Sequence, residues 1–357
     1  MLPTGPHVPV RRLSASSRTV GDLFRRRAEL SPHKAALLEK RDGRWHATSW
    51  GEWYVRVRRA AAGLARLGVS RGDRVAILGP TQSRWATMDL AAQLLGAVSL
   101  GIYPKQPVDA VRYLLEHSGA RVVYVDGADE LETVLAACRE PLGVTHVIPW
   151  ASELFEGFAA RDARVTSPEA LDGEPLGDAE VRARQEVIAT DDTAILVYTS
   201  GTTGPPKGAM ITHANILAVL GAQTSDLELY EDDLSFNFLP MAHVAERVFG
   251  FYGRLSNGVP TAYASSMGAV LEELREVRPT LFGSVPRIFE KAYAKLKAEL
   301  SRRPLAARRA FDAAVVIGRR ALPYLLANQP LPLGLRAPYA LAHRVVFAPI
   351  RAAFGGR

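Results

Sequence analysis

An α/β fold of parallel-rich sheets covered by helices is predicted by three features of this sequence. Short apolar runs of strand character alternate with longer segments whose apolar residues recur at helical spacing. The links between them are short, which suits strand–helix–strand units. One apolar run, Ala194-Ile195-Leu196-Val197, leads straight into a loop of glycine, hydroxyl and lysine residues. Such a loop offers backbone and side-chain donors to an anion.

Taken in order, Thr19 to Leu30 reads as a helix with Val20, Leu23, Phe24 and Ala28 on one face. Ala35 to Leu38 reads as a strand and Arg44 to Ser49 as its hairpin partner. Ser49-Trp50-Gly51-Glu52 has capping-box spacing and opens a helix to about Leu67. Asp73 to Gly79 is a strand of buried type, Ser83 to Leu95 a helix, and Val98 to Tyr103 a strand. Ala110 to Ser118 is a helix and Arg121 to Val125 a strand. Leu131 to Arg139 is helical and carries the single cysteine, Cys138, which reads as a small packing residue and excludes an intramolecular disulfide. Residues 153–186 are acidic and irregular and read as an excursion between two halves. After the glycine-rich loop, a helix is expected from His213 to Leu220, with His213 structural. A strand at Leu234 to Leu239, a helix at Val244 to Leu255, a strand at Thr261 to Ala264 and a helix at Met267 to Val277 follow. Thr280 to Val285 reads as a strand, and Ile288 to Leu300 with much of the remainder as helix.

Composition is that of a globular chain: 357 residues, 48% hydrophobic and 23% charged. No run of about 18 apolar residues predicts a membrane span, and the polar first 18 residues carry no signal-peptide core. Cytoplasm is the expected compartment. The net charge of +7 is localised: residues 301–357 hold ten arginines and one acid, Asp312, leaving −2 for the first 300 residues. A solvated helical face accounts for this. The rival expectation is peripheral contact with the inner face of a membrane, because arginine pairs alternate with apolar turns there. No nucleic-acid module or basic-aromatic stripe is present.

The loop Tyr198-Thr199-Ser200-Gly201-Thr202-Thr203-Gly204-Pro205-Pro206-Lys207-Gly208 carries the chemistry. Glycines admit an anion close to the backbone, hydroxyls donate to its oxygens, and Lys207 adds a positive charge. It lacks the Gly-Lys-[Ser/Thr] ending of a P-loop. The whole pattern resembles the phosphate-binding signature of the adenylate-forming (AMP-forming) synthetases. Phe238-Leu239-Pro240-Met241-Ala242-His243-Val244-Ala245-Glu246-Arg247 is similar to that superfamily's second core motif. Val285-Pro286-Arg287-Ile288-Phe289-Glu290-Lys291 resembles a motif of its long-chain fatty acid–CoA ligase branch.

The resemblance covers residues 19–357, after a polar segment 1–18, and implies an adenylate-forming N-terminal domain. It implies ATP, Mg2+ and coenzyme A as co-substrate, with fatty acid as substrate. Tyr198, Thr199, Ser200, Gly201, Thr202, Thr203, Gly204, Lys207 and Val244 would bind the nucleotide, Thr202 would lie nearest the metal, and His243 and Lys207 would be catalytic. A histidine here can also simply cap a helix. Glu246 and Arg247 stay open, and Arg287 and Glu290 read equally as a surface pair. The family's later Ser-Gly-Gly-Ala strand, Tyr-Gly-x-Thr-Glu motif, ribose-binding Asp and catalytic Lys have no counterpart in these 357 residues. The expectation is therefore an N-terminal part, truncated before the adenine-binding half and inactive alone unless a second polypeptide completes it. The alternatives are a ligase for a medium-chain or aryl carboxylate, and a non-catalytic remnant that binds a partner or membrane.

Overall fold

The computed structural model describes residues 8–140, 142–199, 204–223, 228–327, 329–353 and 355. They form two compact units, Met1–Ser265 and Ser266–Arg357.

In the first unit, α1 (Val20–Leu30) begins where the Thr19 hydroxyl accepts the Asp22 N–H. β1 (Ala35–Arg41) and β2 (Arg44–Ser49) pair antiparallel. Their turn residues Asp42 and Gly43 have φ of 49° and 73°, as a two-residue hairpin turn requires. Both halves of the Ser49–Glu52 capping box form and open α2 (Trp50–Arg66). Then β3 (Arg74–Leu78), α3 (Ser83–Leu95), β4 (Val98–Ile102), α4 (Val108–Ser118), β5 (Ala120–Val125), α5 (Ala128–Ala137) and β6 (His146–Pro149) follow as strand–helix–strand units. Gly96 and Gly119, both left-handed, terminate α3 and α4.

The stretch expected to be irregular instead holds α6 (Ser152–Ala159), a 3-10 turn at Pro168–Leu171 and α7 (Asp178–Val187). Its acidic composition hid a helix: Asp178 and Glu180 sit in the first turn of α7, where the helix dipole favours them, and Val181 and Gln185 are buried. Next come β7 (Thr193–Thr199), β8 (Lys207–Thr212), α8 (His213–Gln223) and β9 (Ser235–Asn237). A π-helical segment, Ala245–Tyr252, runs into α9 (Gly253–Asn257), where one α-helix was expected. The neighbours Glu246 and Arg247 are both buried within it. β10 (Thr261–Tyr263) closes the unit.

Two sheets result. The larger has the order β6-β5-β3-β4-β7-β8; the first five strands are parallel and β8 runs antiparallel to β7. The smaller has the order β2-β1-β10-β9. Strands β3 to β6 of the larger sheet are buried on both faces, which is why they read as apolar runs. One face packs Val75, Ile77 and Ile195 against Leu23, Trp53 and Trp85. The other packs Val123 and Val147 against Val111, Leu115 and Leu131, with Cys138 buried among them. His213 is structural, as expected. It is buried at the start of α8, its Nδ1 accepts the Val20 N–H at 3.2 Å, and burial pushes its pKa down to about 4.

The second unit contains α10 (Val270–Val277), α11 (Pro286–Ser301), α12 (Leu305–Leu326), α13 (Leu333–Ala342) and α14 (Ala348–Ala353). A π-turn at His343–Phe347 joins the last two. The strand expected at Thr280 to Val285 does not form; of these six residues only Leu281 is in a bridge. β-propensity is decided by tertiary context and does not make a strand by itself. No helix is long and apolar enough to cross a membrane, among the described residues.

Candidate functional site

The glycine-rich loop is a hairpin loop. Thr199 at the end of β7 stands opposite Lys207 at the start of β8, and Tyr198 opposite Gly208. Strand β8 therefore intervenes between the loop and the helix that the sequence places soon after it. Ser200, Gly201, Thr202 and Thr203 lie outside the described residues. Gly204 has φ of 92°, a conformation glycine adopts without steric cost. Gly208 leaves room for a ring: a Cβ there would lie 3.1 Å from Tyr198 Cζ.

Three aromatic side chains anchor this hairpin. The Tyr113 hydroxyl donates to Pro206 O at 2.8 Å, and the Tyr198 hydroxyl lies 2.8 Å from His117 Nδ1. Tyr113 stacks on His117 at 5.3 Å and meets Tyr198 edge-on at 6.5 Å. Burial, then Tyr113, pushes the Tyr198 hydroxyl pKa up, so it stays a neutral donor. Sequence reasoning missed Tyr113 and His117. Their i,i+4 spacing on α4 was the available signal.

Beside the hairpin is a cavity of about 440 Å3. Gly101 to Tyr103 at the end of β4, Val197 to Thr199 at the end of β7, the Tyr113 face of α4, and Pro206, His243 and Val244 line it. Four residues expected at the site therefore converge: Tyr198, Thr199, His243 and Val244. Gly204 and Lys207 are exposed and do not line the cavity; Lys207 directly follows Pro206, which does.

The turn carrying His243 is fixed from three sides. Thr81 donates its hydroxyl to Leu239 O at 2.7 Å and accepts the Met241 N–H at 3.1 Å. Gly101 touches the turn so closely that a Cβ would sit 2.7 Å from Ala242 Cα. His243 Nδ1 accepts the Ala245 N–H at 3.1 Å, which puts the proton of a neutral ring on Nε2. The helix-capping reading and the cavity-lining reading of His243 thus both hold.

Glu246 and Arg247 are structural. Glu246 is buried and accepts from Arg254 Nη2 at 2.6 Å; burial pushes its pKa up and Arg254 partly offsets this. Arg247 is fully buried, ion-paired with Asp89, hydrogen-bonded to Ser99, and 4.9 Å from the Trp85 ring centre. Burial opposes its charge, and Asp89 with Tyr252 more than compensates. In the second unit, Arg287 and Glu290 are exposed in the first turn of α11. No group of three His, Cys, Asp or Glu fit to hold a metal occurs among the described residues.

The chain is similar in sequence and fold to known proteins. The family model for AMP-binding enzymes matches residues 24–335. The long-chain-fatty-acid–CoA ligase ACSBG2 of Xenopus laevis is 28% identical over 346 residues, which cover 94% of this chain and 46% of that protein. FadD15 of Mycobacterium bovis, also named a long-chain-fatty-acid–CoA ligase, is 32% identical over 328 residues, covering 88% of this chain and 51% of that one. The chain spans about half the length of these relatives. Among solved structures, the N-terminal domain of FACL13 from Mycobacterium tuberculosis is 26% identical with a TM-score of 0.60, over 76% of this chain and 64% of that one. The adenylation domain of a carboxylate reductase from Mycobacterium chelonae shares the fold at 23% identity, with a TM-score of 0.70 over 98% of this chain and 55% of that one. The family match takes in most of both compact units, and the chain belongs to the AMP-binding enzymes.

Proposed function

We propose that residues 19–357 are the N-terminal part of a long-chain fatty acid–CoA ligase and supply its carboxylate and triphosphate sites. The cavity where His243 and Val244 meet the ends of β4 and β7, beside the hairpin loop, supports this reading. In the proposed reaction a fatty acid carboxylate oxygen bonds to the α-phosphorus of ATP. The bond from that phosphorus to the bridging oxygen breaks, and pyrophosphate leaves with the electron pair. The coenzyme A thiol then displaces AMP and gives the thioester. The loop's donors and Lys207 hold the leaving pyrophosphate and offset its growing charge. In this reading Nε2–H of His243, which lines the cavity, donates to a carboxylate or α-phosphate oxygen. A Mg2+ ion, when bound, neutralises phosphate charge. Such an ion is commonly held by the phosphates and one or two carboxylates; by the family resemblance Thr202 would be the loop residue nearest it.

Lys207→Ala is expected to weaken magnesium–ATP or pyrophosphate binding by ~1.5–3 kcal/mol, as loss of a charge-assisted contact does. Calorimetric titration checks it, and unchanged affinity removes the phosphate role. Acyl adenylate made from labelled ATP by the complete enzyme tests the reaction, with long-chain, medium-chain and aryl acids compared. The 357-residue chain alone is expected to form no acyl-CoA, because the family's later motifs have no counterpart in it.

We also propose that the second unit meets an anionic membrane surface, where a long-chain acid dissolves. Leu322, Leu326, Leu333 and Leu341 are 50%, 79%, 81% and 65% exposed on α12 and α13, beside exposed Arg308, Arg309, Arg319 and Arg320. Each arginine near such a surface contributes about 1 kcal/mol, screened within a Debye length. Liposome co-sedimentation is expected to rise with anionic lipid, fall with salt, and vanish when Arg302, Arg303, Arg308 and Arg309 become Glu. Equal binding to neutral and anionic liposomes rejects the membrane role.

A further inference from the structure

We propose a second ligand site, separate from the hairpin-loop cavity, for a compound bearing two or more phosphate charges on a ring-containing body, of the nucleoside diphosphate class. It lies where the larger sheet reverses its winding. From β3 the chain passes through α3 to β4 on one side; from β5 it passes through α5 to β6 on the other. Helix α3 packs on one face of the sheet and α5 on the opposite face. β3 and β5 are neighbours, so their outgoing loops part and leave a crevice at the carboxyl ends. Open α/β sheets bind ligands at such a point.

A cleft of about 870 Å3 opens there, roughly twice the loop cavity. Gln82 to Arg84 follow β3, Tyr124 belongs to β5, Trp150 follows β6, and all line it. Its cationic side chains are Lys40, Arg41, Arg56, Arg59 and Arg84; its acids are Glu39, Glu169 and Asp172. Two of these acids are already engaged. Glu39 pairs with Arg41 at 2.8 Å and accepts from Ser83, and Glu169 accepts from Ser152 at 2.5 Å. The starts of α3 and α6 therefore already meet a carboxylate and contribute nothing to the proposal. Arg56 and Arg59, one turn apart on α2, are exposed and make no ion pair among the described residues. Arg84 is held in place by donating to Trp150 O at 2.7 Å.

A second, independent observation points to an acceptor-rich ligand. Trp150 is 4% exposed and lines the cleft, yet its indole N–H has no partner among the described residues. Tyr263 also lines the cleft, and its buried hydroxyl has no hydrogen-bond partner among the described residues. Buried donors without acceptors are costly, and phosphate oxygens are acceptors. Three guanidinium groups suit more than one negative charge. The volume exceeds the needs of a lone phosphate and lies within the range of small-molecule sites. Ala60, Met88 and Leu171 add an apolar wall for a ring.

The test is calorimetry on the 357-residue chain carrying Lys207→Ala, which weakens the hairpin loop as an anion site. ADP is expected to bind this chain, and inorganic pyrophosphate to bind more weakly for want of a ring. Adding Arg56→Glu with Arg59→Glu is expected to weaken ADP at least tenfold. Trp150→Phe is expected to weaken it several-fold. The two arginines are exposed, so the thermal melt should not move. If it does, Arg56→Gln with Arg59→Gln replaces the reversal and should still lower affinity severalfold. Absence of ADP binding to the Lys207→Ala chain overturns the proposal, as does binding indifferent to the arginine pair.

Discussion

Replacing Asp89 with alanine is expected to destabilise the first unit by about 3–5 kcal/mol, the usual cost of stripping a buried ion of its partner. Asp89, Ser99, Arg247 and Tyr252 are all fully buried. The Asp89 carboxylate receives Arg247, the Ser99 hydroxyl at 2.6 Å and the Tyr252 hydroxyl at 2.8 Å. Without it the guanidinium keeps the Trp85 ring and Ser99 but loses its counter-charge. The change reaches the site, because the Arg247 N–H donates to His243 O at 3.0 Å. Asp89→Leu combined with Arg247→Met is expected to recover most of the loss, since apolar partners of similar size can replace a buried pair. Urea melts read both. A single variant within 1 kcal/mol of the parent, or a pair no better than the single, means that this network is not what holds the His243 turn.

Gly101→Val is expected to cost about 1–3 kcal/mol by overpacking and to displace the His243 turn. Even a Cβ at this position meets Ala242 Cα at 2.7 Å, and Ala242 Cβ and Trp85 Cζ2 at 3.1 Å. One neighbour is backbone and another belongs to a fully buried indole, so neither yields cheaply. The two effects separate experimentally. Denaturant melts give the cost, and histidine-selective NMR of the chain gives the His243 ring signals. The His243 resonances should move while those of His33, on the surface far along the chain, stay. Unmoved His243 signals in a folded Gly101→Val chain contradict this role for the glycine. Positioning errors of about an ångström near a reacting group cost on the order of 100-fold in rate, so the absence of a side chain at Gly101 bears on the His243 turn as well as on stability.

Most secondary structure was legible before folding. The Ser49–Glu52 box, the Asp42-Gly43 turn and the glycines ending α3 and α4 each act within a few residues of chain. The apolar runs of β3, β4, β5 and β7 announced burial on both faces. Two errors have local causes. The helices between β6 and β7 were masked by acidic composition, and the Thr280 to Val285 run had strand character but forms a bridge at Leu281 alone. β8 went unrecognised because Lys207 to Thr212 is largely exposed and reads as loop.

What the sequence determined by itself is the identity of most elements and the position of the glycine- and hydroxyl-rich loop directly after β7, because caps, turn residues and burial periodicity are short-range. Only the tertiary structure decided the rest. It divided the strands between two sheets, turned the loop into a hairpin, and set Tyr113 and His117 against Tyr198. It also pressed Gly101 onto Ala242 and brought Arg247 to Asp89, 158 residues away. The physical reason is that a buried charge or a missing Cβ has meaning only beside its partner. Chain separation hides that partner until the sheet and helices pack.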